Sequence, residues 1–214
     1  MNKTILLTRP NHDSTTYYLF NWAQRIVLEA EAKGFQLLDL KETRANRKEF
    51  ESAIKLKDPS LVLLYGHGDS CKIGGHNDEV LIEAGDNESI LKSRIIHALA
   101  CKSAKILGPK SVEAGALAYI GYDEDFIFFY VSEKIPKPFE DKLASFFLNP
   151  PEILIKSLLR GNSAGISVAR AKRLFKSNVQ QLLTIENSKY NYAIPYLLGN
   201  MEHLKLVGDN NASF

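Results

Sequence analysis

Sulfur is scarce in this 214-residue sequence, long apolar runs are missing, and neither sign of charge dominates. The two cysteines, Cys71 and Cys101, are too few for a disulfide-stapled scaffold, and no C-x-x-C pair supports a zinc knuckle. The spacing of His67, Cys71, His76 and Cys101 is irregular for a metal site, so no metal and no other cofactor is expected. No segment reaches the roughly 20 apolar residues of a membrane span. The apolar run near the start is too short for a secretory leader. A cytoplasmic chain that avoids membranes, with both thiols reduced, is expected. Lys plus Arg total 27 against 25 for Asp plus Glu, a formal charge of +2, which is no electrostatic footprint for nucleic acid. The basic stretch Arg170, Lys172, Arg173 and Lys176 reads as a solvent face. Repeats, low-complexity tracts and linkers are also absent, so one domain over 1–214 is expected.

What is present is the composition of a folded protein, 45% apolar and 24% charged. Apolar runs over 5–8, 35–40, 61–65, 95–100 and 116–121 predict strands, the third continuous enough to be buried on both faces. Between them lie helical stretches. One runs from Ser14, a capping residue, to about Ala32, with Tyr18, Trp22 and Ile26 on one stripe and Gly34 as the stop. Others cover 44–55 and 111–115. The segment 66–75 reads as a loop, and 80–83 as one arm of a hairpin. Later helices are predicted over 139–148, 151–160 and 166–183. A last strand over 204–209 returns to the sheet, and the tail 210–214 should fray. Strands alternating with helices predict an α/β three-layer sandwich, its mostly parallel central sheet flanked by helices.

Ligands of an open parallel sheet bind beyond the carboxyl ends of its strands. His67, between Gly66 and Gly68, follows one predicted strand there, and Cys101 ends another. Adjacent parallel strands lie about 4.8 Å apart, so an imidazole and a thiol at neighbouring ends can meet. An imidazole that takes the thiol proton makes a nucleophile. The amides of Gly68 and Cys101 could then bind an oxyanion. The 66–75 loop lacks a G-K-[ST] ending and a third spaced glycine, so it is no phosphate loop. The aromatic run 126–130 reads as core, and Cys71 as a bystander.

Y-G-H-G at 65–68, A-C-K-S-A at 100–104 and A-G-A-L-A-Y-I-G-Y at 114–122 resemble the caspase-like cysteine peptidases of clan CD. The closest likeness within that clan is to the CHAT domain family. A-R-A-K-R-L-F at 169–175 and L-K-L-V-G-D at 204–209 are similar to the helix and last strand that end CHAT domains. The resemblance spans Leu61 to Asp209. It departs where CHAT domains carry a tryptophan, Tyr122 standing near that place, and in having no attached repeat domain.

The resemblance implies a caspase-like fold and a thiol protease with a Cys101–His67 dyad, His67 acting as base and then acid. It implies a protein or peptide substrate and, by analogy with bacterial defence and cell-death enzymes, a separate activating or sensor protein. Such enzymes read the side chain just before the cut. Asp13, Asp123 and Asp125 could form an acidic pocket for Arg or Lys. Arg9 is the opposing candidate, for an acidic side chain. A silent scaffold with the same fold and a nucleotide-binding doubly wound domain are the alternatives.

Overall fold

A computed structural model describes residues 3–184 and 189–214. Among the described residues, eight strands and six α-helices follow one another as β1 (Thr4–Arg9), α1 (Ser14–Ala32), β2 (Gln36–Lys41), α2 (Arg47–Lys57), β3 (Leu61–Tyr65), β4 (Lys72–Gly74), β5 (Val80–Glu83), β6 (Ile95–Leu99), α3 (Leu107–Glu113), β7 (Ala118–Tyr122), α4 (Lys142–Leu158), α5 (Ala164–Thr184), α6 (Ile194–His203) and β8 (Leu204–Gly208). The main sheet has the order β2-β1-β3-β6-β7-β8. All its pairings are parallel except the last, where β8 returns antiparallel to β7. The α/β sandwich read from the sequence is therefore the observed fold.

Strand alternation builds a core on each face. Ile5, Leu7, Leu61, Leu63, Ala118 and Ile120 face α1, α4 and α5. Leu6, Val62, Leu64, Ile96 and Tyr119 face α2, α3 and the β4–β5 hairpin. Residues 61–65 are buried throughout, as a central parallel strand requires.

Four local readings are corrected. The cap of α1 is Asp13 and not Ser14: its carboxylate accepts from the Thr16 amide, and the Thr16 hydroxyl accepts from the Asp13 amide. The loop 66–75 holds β4, the partner of β5. The two helices expected around Pro150 and Pro151 are one, α4. Pro150 has no N–H for the Phe146 carbonyl, and the Asn178 amide from α5 fills the gap at 2.7 Å. The tail is held rather than frayed. Its Ala212 and Asn210 carbonyls accept from Ala164 and Gly165, the first amides of α5, and Phe214 is buried against Phe35.

One core residue is out of character. His97 in β6 is wholly buried and both ring nitrogens lack a partner. Burial disfavours the imidazolium and pushes its pKa down to about 3. The unfolded chain takes up that proton near pH 6.5, so stability is lost as pH falls below that value and the loss grows toward pH 3. At pH 5 this amounts to about 2 kcal/mol. His97→Leu should flatten the dependence of the urea midpoint on pH between 7 and 5. An equally steep dependence in the variant would show that acid sensitivity lies elsewhere.

Candidate active site

The strand order changes direction between β1 and β3, since β2 lies on one side of β1 and every later strand on the other. That switch point opens a crevice at the carboxyl ends, where loops diverge instead of crossing the sheet. Residues 10–13 enter it from β1 and residues 66–69 from β3. The turn 101–106 lies next door, beyond β6.

Register brings the two chemical groups level. Tyr65 pairs with Leu99 in the β3–β6 ladder. His67 and Cys101 each follow two residues later, and the Gly66 amide still donates to the Leu99 carbonyl at 3.4 Å. Gly66 turns the chain with φ +147, and a Cβ there would lie 2.6 Å from the Gly74 carbonyl. At Gly68 a Cβ would lie 3.0 Å from that of Ala100 and 3.2 Å from the Cys101 carbonyl. Glycine at 68 thus lets the His67 loop lie directly on the Cys101 turn. Neither the Gly68 nor the Cys101 amide donates a hydrogen bond among the described residues.

The imidazole and the thiol each have another partner. His67 Nε2 lies 2.5 Å from Asp13 Oδ2. Asp13 Oδ1 meanwhile accepts from the Thr16 amide at 2.7 Å and the Thr16 hydroxyl at 2.8 Å. Partial burial alone would raise the Asp13 pKa, but these bonds and the imidazole outweigh it and hold the carboxyl at about 2. Cys101 is partly buried, and its thiol donates to the Phe126 carbonyl at 3.8 Å. Burial pushes this thiol up, and the Asp125 carboxylate adds to it.

The acidic residues divide by location. Asp13, expected in a specificity pocket, sits on the imidazole. Asp123 accepts from His203 Nδ1 at 2.9 Å and lies 3.5 Å from Lys205 Nζ. Asp125 pairs with Lys102 at 3.0 Å and Glu124 with Lys105 at 2.9 Å, all four side chains over one-third exposed. Asp125 and Glu124 also line an open groove with Ile127, Tyr196, Gly199 and Asn200. Arg9 is spoken for: buried to 3% exposure, it bonds both Asp39 oxygens, the Phe20 carbonyl and Gln24, and stacks over Phe20. It has no free donor face for a substrate carboxylate, which removes the opposing pocket candidate.

Two residues that the sequence reading missed hold the loop over the thiol. Asn200 in α6 bonds the Ile127 amide and carbonyl at 3.1 and 2.7 Å, as a paired strand would. Asp141 caps α4 and also accepts from the Val131 amide and the Tyr18 hydroxyl. The capping pattern of Asp141 ahead of a helix was a readable signal; Asn200 inside a helix left none.

The thiol should therefore react slowly at neutral pH. In a Cys71→Ser background, alkylation of Cys101 should reach half its maximal rate above the ordinary thiol range. Asp125→Asn removes a negative charge and frees Lys102, so the profile should move to lower pH. Near pH 8 the rate should rise by up to about tenfold. An unshifted profile, followed by mass spectrometry, would contradict this electrostatic account.

No protein-family model and no curated protein matches the chain. Solved structures do. The complex of Porphyromonas gingivalis RgpB pro- and mature domains superimposes with a TM-score of 0.62 at 10% identity, over 98% of this chain and 48% of that one. The Arg specific cysteine proteinase gingipain R (RGPB) gives 0.59 at 14% identity, over 99% and 47%. The chain thus spans about half the length of these neighbours. At such identities the likeness is one of fold, the caspase-like sandwich that these clan CD cysteine proteinases carry.

Proposed function

We propose that the chain is a caspase-like cysteine endopeptidase acting through Cys101 and His67 and cutting after a basic residue. One observation carries the reading: in the β3–β6 register His67 and Cys101 follow two residues beyond the paired Tyr65 and Leu99, and a carboxylate is already bonded to the imidazole. Asp13 holds Nε2, so Nδ1 is the ring nitrogen left to take the thiol proton. In the reaction the Cys101 proton passes to Nδ1 and the sulfur attacks the scissile carbonyl. The oxyanion is met by the free amides of Gly68 and Cys101. The imidazolium then protonates the leaving amine, the C–N bond breaks, and an acyl-enzyme remains. Water, deprotonated by the same nitrogen, cleaves the thioester and regenerates the thiol. Asp13 keeps the ring oriented and stabilises its charged form, as carboxylates do in related triads.

The groove beside Asp125 is the proposed seat of the basic side chain. Exposed ion pairs such as Lys102–Asp125 are weak, so an incoming Arg or Lys can displace the internal ammonium. Asp123 stands outside the groove lining and positions His203, which lines it, through their 2.9 Å contact. Preference for arginine in one fold neighbour agrees with an acidic groove. By its motifs the chain resembles the CHAT branch: the A-R-A-K-R-L-F segment lies on α5, and L-K-L-V-G-D begins with β8. The resting thiol, held to Phe126 and pushed toward its protonated form, suits an enzyme that a separate sensor or activating protein switches on. Free thiols suit a reducing, cytoplasmic setting.

The same resting thiol also favours a second reading, a silent scaffold. Fluorogenic peptides varied at the residue before the cut separate the two. Arg and Lys peptides should be cleaved, and Cys101→Ala should lower turnover by at least about 10³-fold. Asp125→Ala should raise KM for basic peptides and leave KM for neutral peptides unchanged. Asp13→Asn should lower kcat and shift its pH profile. Turnover that survives Cys101→Ala would remove the dyad. No turnover, together with no selective labelling of Cys101 by a peptidyl electrophile, would leave the scaffold.

A further inference from the structure

Two side chains beside the proposed dyad, His12 and Asp78, take no part in it. His12 follows β1, and Asp78 ends the turn between β4 and β5. Ring nitrogens of His12 and His67 and a carboxylate oxygen of Asp78 all lie within 4.8 Å of one another. The His12 side chain is only 11% exposed. Both its ring nitrogens are shut off from solvent and without a hydrogen-bond partner. Such an imidazole has lost its water and gained nothing in exchange. His76 stands edge-on to it at 5.4 Å and His67 at 5.9 Å, which fixes the ring's position.

We propose that His12, His67 and Asp78 bind a divalent transition ion of the zinc type, and that this ion withdraws His67 from catalysis. His12 Nε2 and Asp78 Oδ1 are 3.4 Å apart, out of hydrogen-bond alignment. Two ligands of a tetrahedral zinc ion, with bonds of about 2.0 Å, are about 3.3 Å apart. The third ligand needs a small swing, and the His67 ring is free enough for it at 39% exposure. Water completes the fourth position. Two imidazoles select against magnesium and calcium, which take oxygen ligands. The carboxylates of Asp13 and Asp78 balance the charge of the ion. Asp13 on Nε2 also supplies the outer carboxylate that orients metal-bound histidines, leaving Nδ1 for the ion. Nδ1 is the nitrogen that the thiol would need, so metal and substrate compete for one atom. A cleft lined by His67, Gly68 and Asp78 gives access. The sequence concealed this site because its ligands come from three separate loops.

Binding is tested apart from activity. Zinc titration calorimetry should show one ion per chain, in wild type and in Cys101→Ala alike. Asp78→Asn, on an exposed turn that tolerates it, and His12→Gln should each weaken binding at least tenfold. Cobalt(II) should give tetrahedral ligand-field bands without thiolate charge transfer. No binding, unchanged affinity in both variants, loss in Cys101→Ala, or a thiolate band would each overturn the site. The inhibitory role rests on the peptidase reading: zinc should slow peptide hydrolysis, and Asp78→Asn should raise the inhibitory concentration tenfold while leaving the metal-free rate unchanged. Equal inhibition of Asp78→Asn would overturn that role, whereas a chain that cuts no peptide but binds zinc as described would refute the peptidase alone.

Discussion

Tyr65 and Leu99 face each other in a parallel ladder, and the chemistry at the rim follows from that pairing. A parallel register leaves no slack, because a slip of one residue would turn every side chain of the strand to the other face. Both strands are buried on both faces, so the apolar contacts of Leu61, Leu63, Ile96 and Ala98 enforce the alignment. The imidazole and the thiol inherit their common level from this core. The reversal of strand order at β1 then brings Asp13 to the same place. Neither loop needs much rigidity of its own, since the ends of buried strands and the cap of α1 supply it.

The other side of the site is built differently. No strand follows β7 within 123–140, and that segment is held from outside by side chains of other elements, Asn200 and Asp141 among them, and by the Lys102 amide donating to the Glu124 carbonyl. It is this segment that offers the Phe126 carbonyl to the thiol and Asp125 to the groove. Half of the crevice is therefore set by the sheet, and half by a loop whose position depends on α6 and the cap of α4. The arrangement concentrates adjustability on the side that touches the sulfur.

The sequence revealed those features that repeat or punctuate. Continuous apolar runs marked the buried strands, and glycines beside a histidine marked a strand end with chemical potential. Asp13 was legible as a charged loop residue, but its partner was not, because the pairing spans 54 positions in sequence and depends on strand order. Arg9 looked available until Asp39, 30 positions away, was seen to hold it. Pro150 and Pro151 looked like a break because local rules say so. The amide that repairs the helix comes from another element and has no local signature. The tail looked frayed for the same reason, as its partners are the first amides of α5.

That repair has a mechanical meaning. A helix with prolines at its centre would ordinarily be a joint, yet α4 continues through them as one helix, and Asn178 supplies the missing bond from outside. These two neighbouring helices are thus riveted at one point. α4 cannot bend there unless α5 moves away first, and any force that tilts α5 loosens the middle turn of α4. The pair behaves as a single brace across the back of the sheet, with its weakest joint locked from the adjoining beam.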